Sequence, residues 1–385
     1  MALKAVEGFD TYNNARADML SRTGLDFLQW QIYGANNQPT LSFVPGFEGD
    51  GKAFQIAGVG GPPGPNSGLP TEWPVAVWGA RNQTATIGVR LNNNPSGGTI
   101  NNLPGCTFYF YDTIANTIQI TVLFNPLNYA VEIYRGQFSV FLGASPNNFW
   151  DGNQPNYVEI QPFIAPGTGG SVHVRVNYDA ISGAGADYNL TSVNTQASVN
   201  AWFDATGFSP AVMTGVAGTG GVISLDDLYY CDTTVTAGLY PNNSFLGDIH
   251  AYTRFPNGNN AVQWTPLTLT NWQMVDETAM DSDATYNSTI TPGNEDTFNL
   301  PTLPGVVNNI IAIIIQGAYR KDDAGAHSVK QALVSNGVTY YGPPRSLQNT
   351  TYGYLSDIFE LDPNTGANWT ILHANGMAAG YNLVS

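Results

Sequence analysis

The sequence predicts an all-β fold, in which short strands are joined by many turns. Charged residues make up only 11% of the 385 residues, far below the roughly 25% of an average globular chain. The chain contains 42 glycines and 24 prolines, which favour turns and interrupt helices. Strand-like runs of alternating apolar and polar residues recur almost throughout, whereas helix signals are few.

Three hairpins are predicted in the first half of the chain. In the last of them Val172, Val174 and Val176 alternate with polar residues, so one face is expected to be core and the other wet. Strands this numerous, at such short spacing, predict an antiparallel sandwich. The predicted pairs are 106–112 with 117–124, 129–136 with 137–144, and 156–165 with 171–180.

Two domains are expected, 1–235 and 240–385, because the turn-rich stretch TTVTAGLYPNNSF (233–245) separates two sets of strand patterns. The second set begins with FLGDIHAYTRF (245–255) and is interpreted as a smaller C-terminal β-sandwich. A short helix is predicted at 15–22, and the Gly- and Pro-rich segment 55–74 is predicted to be a long loop.

Several segments resemble known families. The stretches EGFD (7–10), NYVEIQPFIAPGTGGSVHVRVN (156–177) and ISLDDLYYCD (223–232) are similar to strands of the laminin-G or concanavalin-A-like lectin jelly roll. The resemblance spans roughly 1–235 and implies a jelly-roll sandwich for that part. Four downstream segments carry a further resemblance of the whole chain: 245–258, 263–277, 318–329 and 359–370.

Together, the two halves resemble structural proteins of tailed bacteriophages. That resemblance implies a virion component (a tail fibre, a tail-tip protein or a head decoration) that is assembled in the host cytoplasm. Its partners would be other virion proteins and host-surface glycans. No catalytic motif comes with the resemblance, so no enzymatic activity is expected. The alternatives are a stand-alone glycan-binding lectin and a jelly-roll glycoside hydrolase.

Charge and hydropathy exclude two classes of partner. The net charge is −16 and there are only 13 Lys and Arg residues, so a surface that follows nucleic-acid phosphates is not expected. The longest apolar run, IIAIII (310–315), is too short to span a bilayer. The first residues, MALKAVEGFDTYNN, lack the apolar core of a signal peptide.

Two cysteines, Cys106 and Cys231, are too few for a disulfide framework. They could pair with each other, but the sequence favours buried free thiols.

The stretch VISLDDLYYCD (222–232) changes its apolar phase at Asp226 and Asp227. Ile223 and Leu225 are apolar at odd positions, and the pattern continues at even positions after the pair. One extra residue, a β-bulge, shifts the pleat in this way. The pair is therefore interpreted as structural, with a Ca²⁺ site as the alternative and a catalytic pair as a weaker one. Ca²⁺ is the one cofactor considered.

Loop aromatics suggest a sugar-binding site. Trp150 is surrounded by amide and acidic residues, and the candidate set is Trp150, Asp151, Asn153 and Tyr157. The alternative is that the aromatic residues anchor the core or a subunit interface.

Hydrolysis is not expected, because the carboxylate candidates Glu132 and Glu159 are each alone on their strands, whereas glycosidases use a pair. His173 and His250 fall on the polar phase of strand-like segments and are expected to be solvated.

An oligomer, most simply a trimer, is predicted through the second domain. Alternation in IIAIII places Ile311, Ile313 and Ile315 on one face of a strand whose opposite face is apolar as well. A neighbouring subunit is expected to cover one of these faces. The alternative is that 291–305 of the same chain folds over it.

Overall fold

The structure, a computed structural model, describes residues 2–9, 28–33, 40–45, 51–57, 73–92, 105–152, 154–178, 183–211, 222–234, 242–278, 280–305, 307–347 and 350–385. The predicted helix at 15–22 lies outside these residues. So does 58–72, the central part of the predicted long loop, while its two ends belong to strands.

The first part of the chain forms fifteen described strands. They are β1 (Leu3–Glu7), β2 (Leu28–Tyr33), β3 (Thr40–Pro45), β4 (Lys52–Ala57), β5 (Trp73–Asn82), β6 (Ala85–Asn92), β7 (Gly105–Asp112), β8 (Thr117–Phe124), β9 (Val131–Arg135), β10 (Val140–Ala144), β11 (Asn156–Phe163), β12 (Gly170–Val176), β13 (Ala186–Val193), β14 (Phe203–Ala211) and β15 (Val222–Asp232). The three predicted hairpins are confirmed as β7–β8, β9–β10 and β11–β12.

These strands make two antiparallel sheets that pack face to face, the jelly-roll sandwich that was predicted. Sheet A has the order β13-β12-β11-β6-β15-β4-β3, and β1 also pairs with β15. Sheet B has the order β10-β9-β8-β7-β14-β5-β2. Alternate residues of both sheets fill the core between them, because successive side chains of a strand point to opposite faces. Core residues include Phe54, Val89, Phe108, Val122, Val158, Val174, Phe208 and Leu225.

The two cysteines are buried free thiols, as predicted. Burial raises the pKa of both thiols well above the ordinary value, which keeps them protonated and unreactive.

The second part of the chain forms smaller sheets. Its strands are β16 (Gly258–Ala261), β17 (Thr265–Pro266), β18 (Asn287–Ser288), β19 (Glu295–Asn299), β20 (Ile313–Tyr319), β21 (His327–Ser335), β22 (Val338–Tyr341), β23 (Arg345–Leu347), β24 (Gly353–Phe359) and β25 (Ala378–Leu383). The described helices are a 3₁₀ turn, Asn271–Met274, and α1, Ile371–Asn375. Neither is long or apolar enough to cross a bilayer.

Sheet C, with the order β16-β19-β25-β21-β22 and β23 beside β21, packs against the two-stranded sheet E, β20-β24. The third sheet is the pair β17-β18. Leu333, Trp369 and Met377 fill the core of this second sandwich together with Ile313 and Ile315.

The start of the chain is bound to both parts. Strand β1 pairs with β15, and just before it the backbone N–H groups of Ala2 and Leu3 donate to Oε1 of Glu360, at 2.6 and 3.2 Å. The first strand is therefore the point at which sheet A and the end of β24 meet.

Candidate functional site

The predicted bulge lies at Asp226 and Asp227. The register between β15 and β6 shifts between Asp226 and Tyr229, and Asp227 has a φ of 51°. A left-handed residue inserted into a strand is a known form of bulge, and it moves the following side chains to the opposite phase. The change of apolar phase in the sequence is therefore explained.

Asp227 is a buried, fully engaged carboxylate, with 1% of its side chain exposed. Its Oδ2 accepts from Nε of Arg90 at 3.3 Å and is 2.9 Å from Nδ1 of His250. Its Oδ1 accepts from the backbone N–H of Ala251 at 2.8 Å. Nearby, Oδ1 of Asp226 accepts from the N–H of Asp227. The partners of Asp227 are nitrogen groups, and they do not fit a Ca²⁺ site, because Ca²⁺ needs six to eight oxygen ligands.

Among the residues that the structure describes, no group of three or more His, Cys, Asp and Glu side chains is placed to hold a metal ion. The contacts of Asp227 instead support the structural interpretation, since they connect β15 and β6 to the segment around Ala251. His250 is also half-buried against Asp227, so the expectation that it is solvated was wrong.

A second carboxylate, Glu159, connects the same segment to β11. Its Oε1 accepts from the hydroxyl of Tyr229 and from the backbone N–H of Gly247, the latter at 2.8 Å. Burial raises the pKa of Glu159, and the hydrogen bonds from Tyr229 and Gly247 offset part of that rise. The N–H of Leu246 donates to the Tyr229 hydroxyl at 3.0 Å. Residues 242–251, called here the covering segment, therefore lie along the outer face of sheet A.

Gly88 on β6 makes this arrangement possible. A Cβ at Gly88 would lie 2.0 Å from Cε1 of Tyr229, so only glycine lets the ring lie flat on the sheet. At the far side of the face, Phe245 packs edge-on against His173, with ring centroids 4.7 Å apart, and lies under the guanidinium of Arg175. The covering segment thus closes the middle of the outer face of sheet A, whereas the outer side of β13 stays exposed.

The predicted sugar-binding aromatics are not exposed, and that prediction was wrong. Trp150 is 4% exposed, lies in the core, and donates from Nε1 to the carbonyl of Ala130. Tyr157 is equally buried, and its hydroxyl donates to the carbonyl of Asp227. Both are amphipathic anchors, each with an apolar body and one satisfied polar atom. Asp151 is exposed, and Asn153 lies outside the described residues.

The outer face of sheet B is different. Its middle is apolar and buried, and Phe138, from the β9–β10 turn, packs edge-on against Tyr109 on β7. Toward the sheet edge the face opens, and there Glu132 and Tyr134 on β9 point to the same side because they are two residues apart. Phe141 on β10 is the register partner of Tyr134, and 57% of it is exposed.

Asn125, Glu132, Tyr134 and Phe141 form what we call the Tyr134 patch. Oε1 of Glu132 accepts from Nδ2 of Asn125 at 2.6 Å, and Oε2 accepts from the Tyr134 hydroxyl at 2.5 Å. The rings of Tyr134 and Phe141 are 5.4 Å apart at an angle of 66°. Burial, together with Glu132, raises the pKa of Tyr134, which keeps its hydroxyl a donor. The patch combines an exposed ring with polar groups held in fixed positions.

Sequence reasoning missed this patch, although a signal was present. In VEIYR (131–135) the core positions Val131 and Ile133 alternate with Glu132 and Tyr134. An aromatic and a carboxylate on the wet face of one strand, facing an aromatic on the next, could have been read as a surface site.

The proposed interface residues lie inside the chain. Strand β20 begins only at Ile313, and Ile313 and Ile315 are buried in the C-terminal core. Leu300 and Leu303 pack against that core, so the alternative that 291–305 covers this face is confirmed. Ile311 packs instead with Leu3, Tyr157 and Tyr229. The choice of Ile311, Ile313 and Ile315 as an oligomer interface was therefore wrong, because the same chain covers them.

A Ser–Asp–His cluster in the second part resembles a catalytic triad only in composition. The buried Asp362 accepts from Oγ of Ser335 at 2.7 Å, and its Oδ2 is 2.6 Å from Nδ1 of His373. Burial opposes ionisation of Asp362, but the hydrogen bonds from Ser335 and His373 outweigh it, and the pKa is lowered. In a triad the serine must bond to the histidine. Here it bonds to the aspartate, so the cluster is structural.

A groove of about 1520 Å³ runs between the covering segment and β20. Arg254 lies on its wall, and its Nη1 donates to the carbonyls of Pro301 and Ala374, at 3.2 and 2.9 Å. This cation therefore holds loops of its own chain together.

Comparison with known proteins gives structural neighbours but no sequence relatives. No family model and no curated protein match the chain. Similar solved structures include an alginate lyase from Chlorella virus (13% identity, 57% of this chain and 99% of that one, TM-score 0.38). Others are lectin II from Ulex europaeus (13%, 60% and 99%, 0.35) and a carbohydrate esterase from a Shiga toxin-encoding bacteriophage (13%, 59% and 99%, 0.31). The order and pairing of the strands define the jelly-roll fold of this chain.

Proposed function

We propose that this chain is a structural protein of a tailed-bacteriophage virion and that its jelly-roll part binds glycans through the Tyr134 patch. The main support for a glycan site at this patch is the contrast between the two outer faces of the jelly roll. The covering segment closes the middle of the outer face of sheet A, whereas sheet B keeps Tyr134 and Phe141 at an open edge.

The chemistry of the patch suits a sugar. An exposed ring such as Phe141 gives a flat apolar platform, and aromatic rings in binding sites bury large area at little entropic cost. Glu132 lies two residues from Tyr134, the register partner of Phe141, and is fixed by hydrogen bonds from Tyr134 and Asn125. Fixed polar groups around an apolar surface are what a specific ligand site needs.

Binding is favoured over hydrolysis. A glycosidase needs two carboxyl groups about 5 to 9 Å apart across a cleft. The second candidate, Glu159, is on sheet A and is buried beneath Gly247. Near the other end of β7, Asp112 and Asp204 accept from backbone and hydroxyl groups of neighbouring turns. No pair is therefore proposed.

The virion role rests on the resemblance of the whole chain and on its surface. Low charge and high Asn and Thr content suit contacts between subunits. In the second part, apolar side chains around β17–β18 are exposed, among them Leu267, Leu269 and Ile290, the last 94% exposed. Exposed apolar groups of this kind mark contact surfaces. A homotrimer remains our proposal, without Ile311, Ile313 and Ile315 as its interface.

Two measurements test the assembly proposal. Mass spectrometry of purified particles should find the chain at a fixed copy number, which is small for a tail component and in the hundreds for a head decoration. Light scattering of the full chain should give the mass of a trimer. Absence from the particles would contradict the virion role, and a micromolar monomer would contradict the trimer. Glycan binding without incorporation would favour the stand-alone lectin.

The glycan site is tested with Phe141→Ala against Val140→Ala in the full chain, by titration calorimetry with glycans that bind on an array. Val140 is also exposed but points to the opposite face of β10. Loss of the platform is expected to weaken binding about tenfold, which is a change of about 1.4 kcal/mol. The control should change little. Equal behaviour of the two variants would place the glycan elsewhere, and release of shortened products would indicate the hydrolase.

A further inference from the structure

The charge around the Tyr134 patch restricts the kind of sugar that it can hold. The side chain of Glu132 is a carboxylate that accepts from an amide and a hydroxyl. A carboxylate has about four lone-pair sites, and these two hydrogen bonds use two of them. The rest can accept from a ligand.

Within β7 to β10 and their turns, the structure places no Lys or Arg side chain to offset Glu132. In residues 105–144, which form β7 to β10 and their turns and are all described, Arg135 is the one Lys or Arg. Arg135 is the register partner of Ile120, whose side chain lies in the core between the sheets. Partners in an antiparallel pair point to the same side, so Arg135 points away from Glu132 and Tyr134.

The whole chain adds to this local effect, because a net charge of −16 repels polyanions over the range that salt leaves unscreened. We propose that the Tyr134 patch selects sugars without carboxylate or sulfate groups, and that a hydroxyl or ammonium group of the sugar donates to Glu132. This inference rests on the glycan-binding function proposed above and names the ligand class of that site. Under this proposal, polyuronates do not bind the Tyr134 patch.

The test compares three oligosaccharide sets of equal length with the full-length protein: N-acetylglucosamine oligomers, glucosamine oligomers and galacturonate oligomers. Calorimetry at low and moderate salt is expected to show binding of at least one of the first two sets and no binding of the third. Glucosamine affinity should fall as salt is added, because it includes an ion pair.

Glu132→Gln is the informative variant. Glutamine keeps only one oxygen acceptor and so loses the bond from Asn125 or from Tyr134. It also removes the charge, so the preference against galacturonate is expected to shrink by at least tenfold. The matched control is Glu295→Gln on β19 of sheet C, which also removes one charge and also loses a bond from a tyrosine hydroxyl, that of Tyr341. The control should leave the preference unchanged.

The outcomes separate the two proposals. Galacturonate binding that Phe141→Ala abolishes would overturn the ligand class and keep the glycan site. Equal shifts from Glu132→Gln and Glu295→Gln would also overturn the local role of Glu132. If no oligosaccharide binds, and array hits do not depend on Phe141, both proposals fail.

Discussion

The two outer faces of the jelly roll contain the same chemical pair, a glutamate that accepts from a tyrosine hydroxyl. On sheet A it is Glu159 with Tyr229, buried under the covering segment. On sheet B it is Glu132 with Tyr134, at an open edge. The buried pair also binds the backbone of Gly247 and so fastens one part of the chain to another. The pair on sheet B is only partly buried. Burial, rather than residue type, separates a structural contact from a candidate site.

The largest expected effect is on the closed face. Asp227→Ala removes the acceptor of the Ala251 N–H and one acceptor each of His250 and of Arg90, which keeps Asp248. Breaking a buried ion pair costs about 3–5 kcal/mol. The loss in the free energy of unfolding is measured by denaturant titration. Asp187→Ala is the control, because Asp187 also bonds an arginine and a histidine but is 34% exposed, and such pairs contribute less than about 1 kcal/mol. Similar losses from both variants would contradict the fastening role of Asp227. Asp227→Asn keeps one oxygen acceptor and should lose less.

Gly88→Ala is expected to destabilise the chain by about 1–3 kcal/mol, because the added Cβ overlaps the Tyr229 ring and overpacking forces the ring to move. The control is Gly353→Ala, where a Cβ would meet nothing within 4 Å. Both are compared by thermal and denaturant unfolding. If the two variants are equally stable, close packing of Tyr229 on β6 is not required.

The third prediction concerns pH. The pKa of Glu159 is raised in the folded chain because the carboxyl is buried, so the folded state binds more protons than the unfolded one above pH ~4.5. The free energy of unfolding should therefore fall as pH rises through the raised pKa. Glu159→Gln removes the titrating carboxyl and should therefore remove this dependence. If the unfolding free energy of the variant depends on pH as that of the wild type does, the assignment to Glu159 is wrong.

Asp362→Asn is expected to change the pH dependence of the free energy of unfolding in the opposite direction. The pKa of Asp362 is lowered, so its contribution to stability is present above the unfolded value and is lost as pH falls through the folded one. Removing the carboxylate should therefore reduce the loss of stability in acid. The same unfolding series over pH serves for both variants, and slopes of the same sign would contradict the assigned causes.

The smallest effect is expected from Tyr134→Phe. It removes the hydroxyl that orients Glu132 but keeps the ring, so sugar affinity should fall by about two- to fivefold, consistent with about 0.5–1 kcal/mol for one hydrogen bond. Stability should change little because the group is partly exposed. A change in stability larger than the change in affinity would make Tyr134 a structural residue like Tyr229.

Sequence patterns that extend over a few residues predicted much of the fold. Alternation in residues such as Val172, Val174 and Val176 identified the hairpins, and the phase change at Asp226 and Asp227 identified the bulge, because both signals lie within a few residues. The covering segment was not predicted. Residues 245–255 were interpreted as the start of a strand pattern, yet the structure has no strand there before Gly258. Their position is fixed by Glu159 and Asp227, which are distant in sequence.

The candidate site was predicted poorly for the same reason. Trp150 lies among polar residues in sequence, but its ring turns into the core to meet Phe124 and Tyr129. A loop's composition does not state which way its aromatic side chain points. The two buried isoleucines of β20 were likewise assigned to a partner, because the residues that cover them come from 291–305 and from the end of the chain.

The attachment of the chain's start has a consequence for how the protein folds. Leu3 pairs with Cys231, and Ala2 binds Glu360, which lies 358 positions further along. During synthesis β1 leaves the ribosome long before either partner exists, and until then it is an unpaired edge that can associate with other chains. Contacts between residues so distant in sequence also make folding slow. Docking of β1 is therefore expected as a late step of folding, and refolding yield should fall with increasing protein concentration.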